Sequence, residues 1–274
     1  MITETRPVQA DPDVAWTGSN PFSQTLVLAG RSLRALVLTP QLIVTSLVAP
    51  LLMLVVFSQI FAGIAATPGF PAGVRYIEFL LPAIMVNTAM QSALQTGIGL
   101  TDEMRGGIIT RLRSLPVWPG AVLAGRSLAE LARGAIRLAV LVVFAAALFG
   151  FAPAGGPLGV LAAAALALVI GASLGWIFIA IACWMRSLEM VQSLSSMVTF
   201  ALMFGSNAFV PLDGLPQWLR LVAIANPMTY AIEAARDLTL GRPAAAGAIT
   251  AVGIGLAVAV PAALIALRGF RRTP

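Results

Sequence analysis

Three amide side chains, Asn87, Gln91 and Gln95, follow one another at intervals of four inside an uncharged stretch, with Thr88, Ser92 and Thr96 one position behind each. An interval of four returns to one face of a helix. A second polar row, Gln192, Ser196, Thr199 and Ser206, runs at intervals of four, three and seven through another uncharged stretch. Amides and hydroxyls donate and accept hydrogen bonds but exchange no proton near neutral pH, so the chemistry within their reach is recognition. Such groups are costly in hydrocarbon, and both rows must therefore face protein or water. Two uses follow: bonds between helices, worth ~0.6 kcal/mol each, or the lining of a route for a solute.

The side chains that usually carry catalysis are missing. The 274 residues include no histidine, no lysine and one cysteine, Cys183. Without lysine a GxxxxGK[ST] phosphate loop cannot form, so the chain does not bind ATP in that way. Without histidine the common general base and commonest metal ligand are gone. A lone cysteine makes no disulfide within the chain and no metal cluster; Cys183 lies in an apolar stretch and is expected to pack as a small hydrophobe. No catalytic or cofactor-binding constellation remains.

The elements that must position the amides are set by composition. Hydrophobic residues make up 59% and charged residues 10% of the chain, against ~25% charged in a soluble domain. That excess of apolar surface predicts an all-α integral membrane protein. Uncharged runs lie between Arg34 and Arg75, Glu78 and Asp102, Arg137 and Arg186, Glu189 and Asp213, and Arg242 and Arg268. A spanning helix needs ~20 apolar residues. The Gly/Pro-rich "FGFAPAGGP" divides the longest run in two. Six transmembrane helices result, near 42–64, 77–100, 134–151, 158–184, 190–210 and 245–267. With the N-terminus in the cytoplasm, thirteen of the seventeen arginines fall inside and only Arg75, Arg220, Arg236 and Arg242 outside. The positive-inside rule then places both termini in the cytoplasm. The same distribution explains the net charge of +6 without nucleic acid as a partner.

Residues 1–19 read as a disordered cytoplasmic tail, and 20–274 as a single transmembrane domain. Asn20 and Pro21 have the chemistry of a helix start, and the following residues are expected to form a helix lying in the inner membrane interface.

Thr101–Arg137 concentrates six arginines and three acids. Within it "DEMRGGIITRLRSL" has Met104, Ile108, Leu112 and Leu115 on one face and ends at Pro116 and Pro119, a short amphipathic helix suited to docking a cytoplasmic partner. Arg126, Glu130, Arg133 and Arg137 then form a polar stripe at intervals of four, three and four. Glu130 can pair with arginines on both sides. Such a stripe cannot face lipid, so the helix is expected to extend into the cytoplasm and present it to protein or headgroups.

Beyond the fifth span, "PQWLRLVAIA" and "MTYAIEAARDLTL" read as two helices broken at Asn226-Pro227. Both are too short to cross a bilayer and too apolar for open water. An external re-entrant pair is expected, an outer gate in which Trp218 and Tyr230 suit the interface and Glu233 can pair with Arg236.

"DEMRGGIITRLRSLPVWPGAVLAGRSLAEL" resembles the cytoplasmic coupling region of ABC-type-2 exporter permeases, most closely the daunorubicin/doxorubicin-resistance permease branch. "VPLDGLPQWLRLVAIANPMTYAIEAAR", Val210–Arg236, is similar to the external segment before that family's last span, with its "LP-W" and "NP-Y" elements. Together the motifs carry the resemblance over about residues 20–270. It implies six helices per subunit and a second permease subunit, identical or different. It also implies two cytoplasmic ATPase subunits holding the ATP and Mg, in a bacterial inner membrane. In that family the coupling helix enters a cleft of the ATPase, a role that falls here on Glu103, Arg105, Gly106, Gly107, Thr110 and Arg111; Arg105 stands where the family often has an acid before the glycine. The family's second and fifth spans face the path at the dimer centre, which implies a pathway lining for the two amide rows.

Drug, lipid and glycoconjugate exporters share this architecture. The leucines, methionines and phenylalanines beside the amides favour an amphiphile over an ion or a long sugar chain. An ion-coupled secondary carrier, the competing class, needs ionisable groups deep in its spans, and spans one, four, five and six have none in their interiors.

Overall fold

The computed structural model describes residues 40–66, 70–105, 119–185 and 187–272. The expected tail at 1–19, the interfacial helix from Asn20 and the loop residues Gly106, Gly107, Thr110 and Arg111 lie outside the described residues.

Among the described residues the fold is all helical. Its α-helices are α1 (Pro40–Ile60), α2 (Tyr76–Arg105), α3 (Pro119–Phe149), α4 (Gly156–Trp184), α5 (Leu188–Phe204), α6 (Gln217–Ala225), α7 (Pro227–Thr239) and α8 (Ala245–Arg272). Single 3-10 turns occupy Ala62–Ala66 and Leu212–Gly214. Four segments are long and apolar enough to cross a membrane, Tyr76–Asp102, Leu128–Phe149, Gly156–Trp184 and Ala245–Gly269; Thr45–Ile60 and Leu188–Phe204 are shorter apolar helices.

Helix ends depart from the uncharged runs where local chemistry stops or continues the backbone ladder. α5 ends at Phe204 rather than near 210. Gly205 closes it by donating to Ala201 O, and the Ser206 hydroxyl bonds back to Met203 O and accepts from Ala208 N. α3 is continuous from Pro119, well before the start of its apolar run, as the helical spacing of its charged stripe predicts.

The bundle is built around α2 and α4, which pack on each other more extensively than any other two helices. Small residues at intervals of four permit this: Gly171 meets the backbone of Ala89, Gly175 meets Ala93, and Gly97 meets the backbone of Phe178. Close approach through such residues is how helices associate where no hydrophobic effect drives them together. α8 covers α4, α3 covers α2, and α7 packs against α2, α4 and α8. The outer surface is apolar, with Leu52, Val143, Leu161, Phe200, Ile249 and Val260 exposed, whereas Asn87, Thr88, Ser92, Thr96, Ser195 and Thr199 are buried. An oily exterior over a partly polar interior is the reverse of a soluble domain and fits a bilayer as solvent. Cys183 is buried.

Candidate functional site

α2 is buried along nearly its whole length, yet two side chains break the pattern before the exposed Asp102 near its end. Gln91 and Gln95 are exposed while every residue between Phe79 and Met90 is buried or nearly so. Together with Asn87 they line a cavity of about 330 Å³ between α1, α2, α3 and α5. α1 contributes Thr45, Ser46, Ala49, Pro50 and Met53, α5 contributes Met203, and α3 contributes Arg137. The neighbouring hydroxyls are spent within their own helix: Thr88 donates to Ile84 O at 2.7 Å, Ser92 to Thr88 O at 3.1 Å and Thr96 to Ser92 O at 3.5 Å. Among the described residues Gln91 and Gln95 make no bond to another helix, and Asn87 Oδ1 is buried without a partner.

The row on α5 is not drawn into this cavity. Gln192 and Ser196 are exposed; Thr199 and Ser206 are buried and bond to Ser195 O at 2.9 Å and Met203 O at 2.6 Å. The hydroxyl of Ser195, which the spacing passed over, is fully buried with no partner among the described residues.

Two members of the charged stripe on α3, Glu130 and Arg137, face into the bundle. Glu130 is buried and ion-paired to Arg133, and Arg137 Nη1 stands 3.9 Å from Glu130 Oε2. Arg137 also donates through Nε to Ser46 Oγ at 3.0 Å and through Nη1 to Ser92 Oγ at 2.6 Å. A stripe that starts at the membrane edge and runs into the span avoids lipid most cheaply by packing on the polar faces of its neighbours, here α1 and α2. The side chain of Arg126 lies outside the described residues, as do those of Glu103 and Arg105, which close α2.

At the opposite end of α2, Arg75 pairs with Glu78 at 2.7 Å and donates to Gly150 O at 3.0 Å, tying the start of α2 to the α3–α4 turn. Arg236 on α7 is buried there. The expected Glu233–Arg236 pair is not formed: Arg236 donates to Phe79 O at 2.9 Å and to Asn207 O and Ala208 O at 2.8 Å each, with its guanidinium 3.5 Å from the centroid of the Phe79 ring. Glu233 instead accepts from Asn207 Nδ2 at 2.9 Å. Three carbonyls converging on one planar donor outcompete a single carboxylate that keeps its own amide partner. Burial pushes the Glu233 carboxyl up and the Arg236 guanidinium down, each partly offset by the charge of the other.

α6 and α7 meet at Asn226, whose side chain caps α7 at Met228 N and donates to Leu202 O at 2.7 Å. The Tyr230 hydroxyl donates to Ile224 O at 2.9 Å. α7 is largely buried in the bundle, whereas α6 leaves Trp218, Leu221, Val222 and Ile224 exposed. Sequence spacing does not reveal Asn207, whose amide and carbonyl join Glu233 to Arg236; an asparagine two residues after a helix-ending glycine is the signal available.

Residues 23–240 match the profile of the family described as "ABC-2 type transporter". The chain is 34% identical over 245 residues to "Daunorubicin resistance ABC transporter permease protein DrrB1" of Streptomyces coeruleorubidus, covering 89% of this chain and 83% of that one. It is 26% identical over 254 residues to "Probable doxorubicin resistance ABC transporter permease protein DrrC" of Mycobacterium tuberculosis, covering 91% and 89%.

Proposed function

The chain belongs to the ABC-2 type transporter family, and from that premise we propose that it is the permease subunit of an exporter carrying a hydrophobic or amphiphilic molecule, drug- or lipid-like, out of the cell. The observation that carries the reading is the polar cavity behind Gln91 and Gln95, held inside a bundle whose outer surface is apolar. Amides that bond to no other helix are available to a solute. The exposed Gln192 and Ser196 of α5 extend the lining across to a second permease subunit, identical or different.

The power comes from a pair of ATPase subunits that hold ATP and Mg. They dock on the loop between α2 and α3 through Glu103, Arg105, Gly106, Gly107, Thr110 and Arg111. In this arrangement α1 and α5 join the four long helices to make six spans within one domain from residue 20. The N-terminal segment from Asn20 lies along the inner interface, and both termini are cytoplasmic. α6 and α7 form a re-entrant outer gate, with Trp218 and Tyr230 at the interface.

The coupling role is tested in the assembled transporter. Glu103→Ala and Arg111→Ala are expected to leave the permease inserted but to lower substrate-stimulated ATP hydrolysis at least tenfold, because loss of one partner of a buried interfacial charge pair costs ~2–5 kcal/mol. Hydrolysis at the parental rate in both variants would assign docking to another segment.

Orientation is tested with single cysteines in a Cys183→Ser background. The α3–α4 turn is probed at Ala154, because a side chain on Gly155 would stand 2.3 Å from Leu238 O. An impermeant thiol reagent applied to intact cells is expected to label cysteines at Ala154 and Trp218 and to spare those at Ser19 and Thr273. Labelling at 19 or 273 overturns the orientation, and an unlabelled 218 removes the outer gate.

A further inference from the structure

Among the described residues the cavity behind Gln91 and Gln95 is lined by one charged side chain, Arg137, and no acid. Arg137 does not have Glu130 to itself. That carboxylate is closer to Arg133 and stands 3.9 Å from Arg137 Nη1. A cation with so distant a hold on its acid, well inside a bundle, is costly, and the usual remedies are a counter-ion or water. The two serines that Arg137 bonds are neutral and use Nε and Nη1. Among the described residues its Nη2 donors have no acceptor, and they belong to a group that lines the cavity. Gln91 and Gln95 offer further N–H donors from the facing helix. Asn87 lines the same space, and its amide oxygen is buried without a partner.

The rest of the wall combines the hydroxyls of Thr45, Ser46 and Thr88 with the apolar Ala49, Pro50, Met53 and Met203. Along α1, Ser46 is followed by Ala49, Pro50 and Met53, a rise of ~10 Å from hydroxyl to thioether at 1.5 Å per residue. Met203 lines the same cavity from α5. The guanidinium, bonded to Ser46, thus sits at one end of this stretch of α1 and the flexible, polarisable side chain of Met53 at the other. A guanidinium with free fork donors favours an oxyanion over any neutral polar group.

We propose that this cavity is a headgroup site for an anionic amphiphile: Arg137, supported by Gln91 and Gln95, takes a phosphate-like oxyanion, and Met53 and Met203 take the start of its alkyl chain. The proposal names a substrate class for the exporter reading and rests on that reading for the direction of transport; the site itself can be tested without transport.

The test uses the permease with its ATPase partner in phosphatidylcholine nanodiscs. Binding of radiolabelled dodecyl phosphate is measured and competed with dodecyltrimethylammonium, dodecyl maltoside and inorganic phosphate. Unlabelled dodecyl phosphate is expected to compete at least about tenfold better than any of the three. Arg137→Gln is expected to abolish that preference and Arg137→Lys to retain part of it. Because Arg137 also holds α1 to α2, a second variant guards against misfolding: Gln95→Glu, at an exposed position, neutralises the charge of the site and is expected to abolish the preference for dodecyl phosphate over dodecyltrimethylammonium. Equal competition by the cationic or neutral amphiphile overturns the proposal, as does equal competition by inorganic phosphate. An unchanged preference in a folded Gln95→Glu variant also overturns it. Selective binding that never stimulates ATP hydrolysis keeps the site and sinks the exporter reading instead.

Discussion

Arg236→Leu is expected to destroy the folded permease, with the monodisperse fraction after detergent extraction falling at least tenfold. Leucine fits the space of the aliphatic stem but removes the donors for Phe79 O, Asn207 O and Ala208 O, all close to the bundle interior. Asn207 O and Ala208 O would each be left without a partner at ~1–3 kcal/mol, while Phe79 O would keep its bond within α2; the contact with the Phe79 ring adds ~2 kcal/mol when desolvated. The sum is comparable with the whole stability of an ordinary domain, ~5–15 kcal/mol. Arg236→Lys separates charge from geometry. An ammonium keeps the cation over Phe79 but cannot span carbonyls on α2 and on the α5–α6 connection with one planar fork. It is expected to extract in reduced yield and to melt well below the parental protein. Glu233→Gln, which keeps an acceptor for Asn207 Nδ2, is expected to extract normally. If Arg236→Leu extracts and melts like the parent, the three carbonyls have other partners and Arg236 does not hold α7 in place.

The same arginine shows how far the sequence can be read. Spacing on a helix correctly puts Glu233 and Arg236 within reach of each other, but the acceptors that Arg236 uses arrive from positions 157, 29 and 28 residues away. No local pattern announces them. Arg137 is the parallel case: its stripe with Glu130 and Arg133 is legible at intervals of three and four, but its direction depends on Ser46, 91 residues distant on a helix whose run reads only as apolar. Membrane class is legible because it follows from composition, which needs no contacts. The amides of α2 are legible as a row, whereas their meeting with Arg137 in one cavity requires knowing that α1, α2 and α3 are neighbours. The helix end at Phe204 escapes a reading of charge because charge marks where lipid stops, and the backbone ladder stops elsewhere.

Gly171→Leu is expected to prevent α2 and α4 from packing and so to abolish assembly, whereas Gly253→Ala is expected to leave it intact. A Cβ on Gly171 would lie 2.8 Å from both the carbonyl carbon and oxygen of Ala89 and 2.9 Å from its Cβ. The first two are backbone atoms of a helix buried on nearly all sides, so neither partner can yield without moving the other contacts along the crossing. Gly175 against Ala93 and Gly97 against Phe178 would open in step. Even a modest excess of volume in a packed core costs ~1–3 kcal/mol, and leucine adds its bulk where a single methyl already collides. Gly171→Ala should therefore lower the melting temperature measurably, and Gly171→Leu should leave aggregate in place of a folded peak. Gly253 lies on α8, and a Cβ added to it would meet nothing within 4 Å. There alanine removes the conformational freedom of glycine from a helix interior, a change worth ~0.5–1 kcal/mol in favour of the folded state. Thermal unfolding of the detergent-solubilised variants measures both. A Gly171→Leu protein that melts with the parent would mean that the α2–α4 contact is not what holds the bundle together, and the polar cavity would need another scaffold.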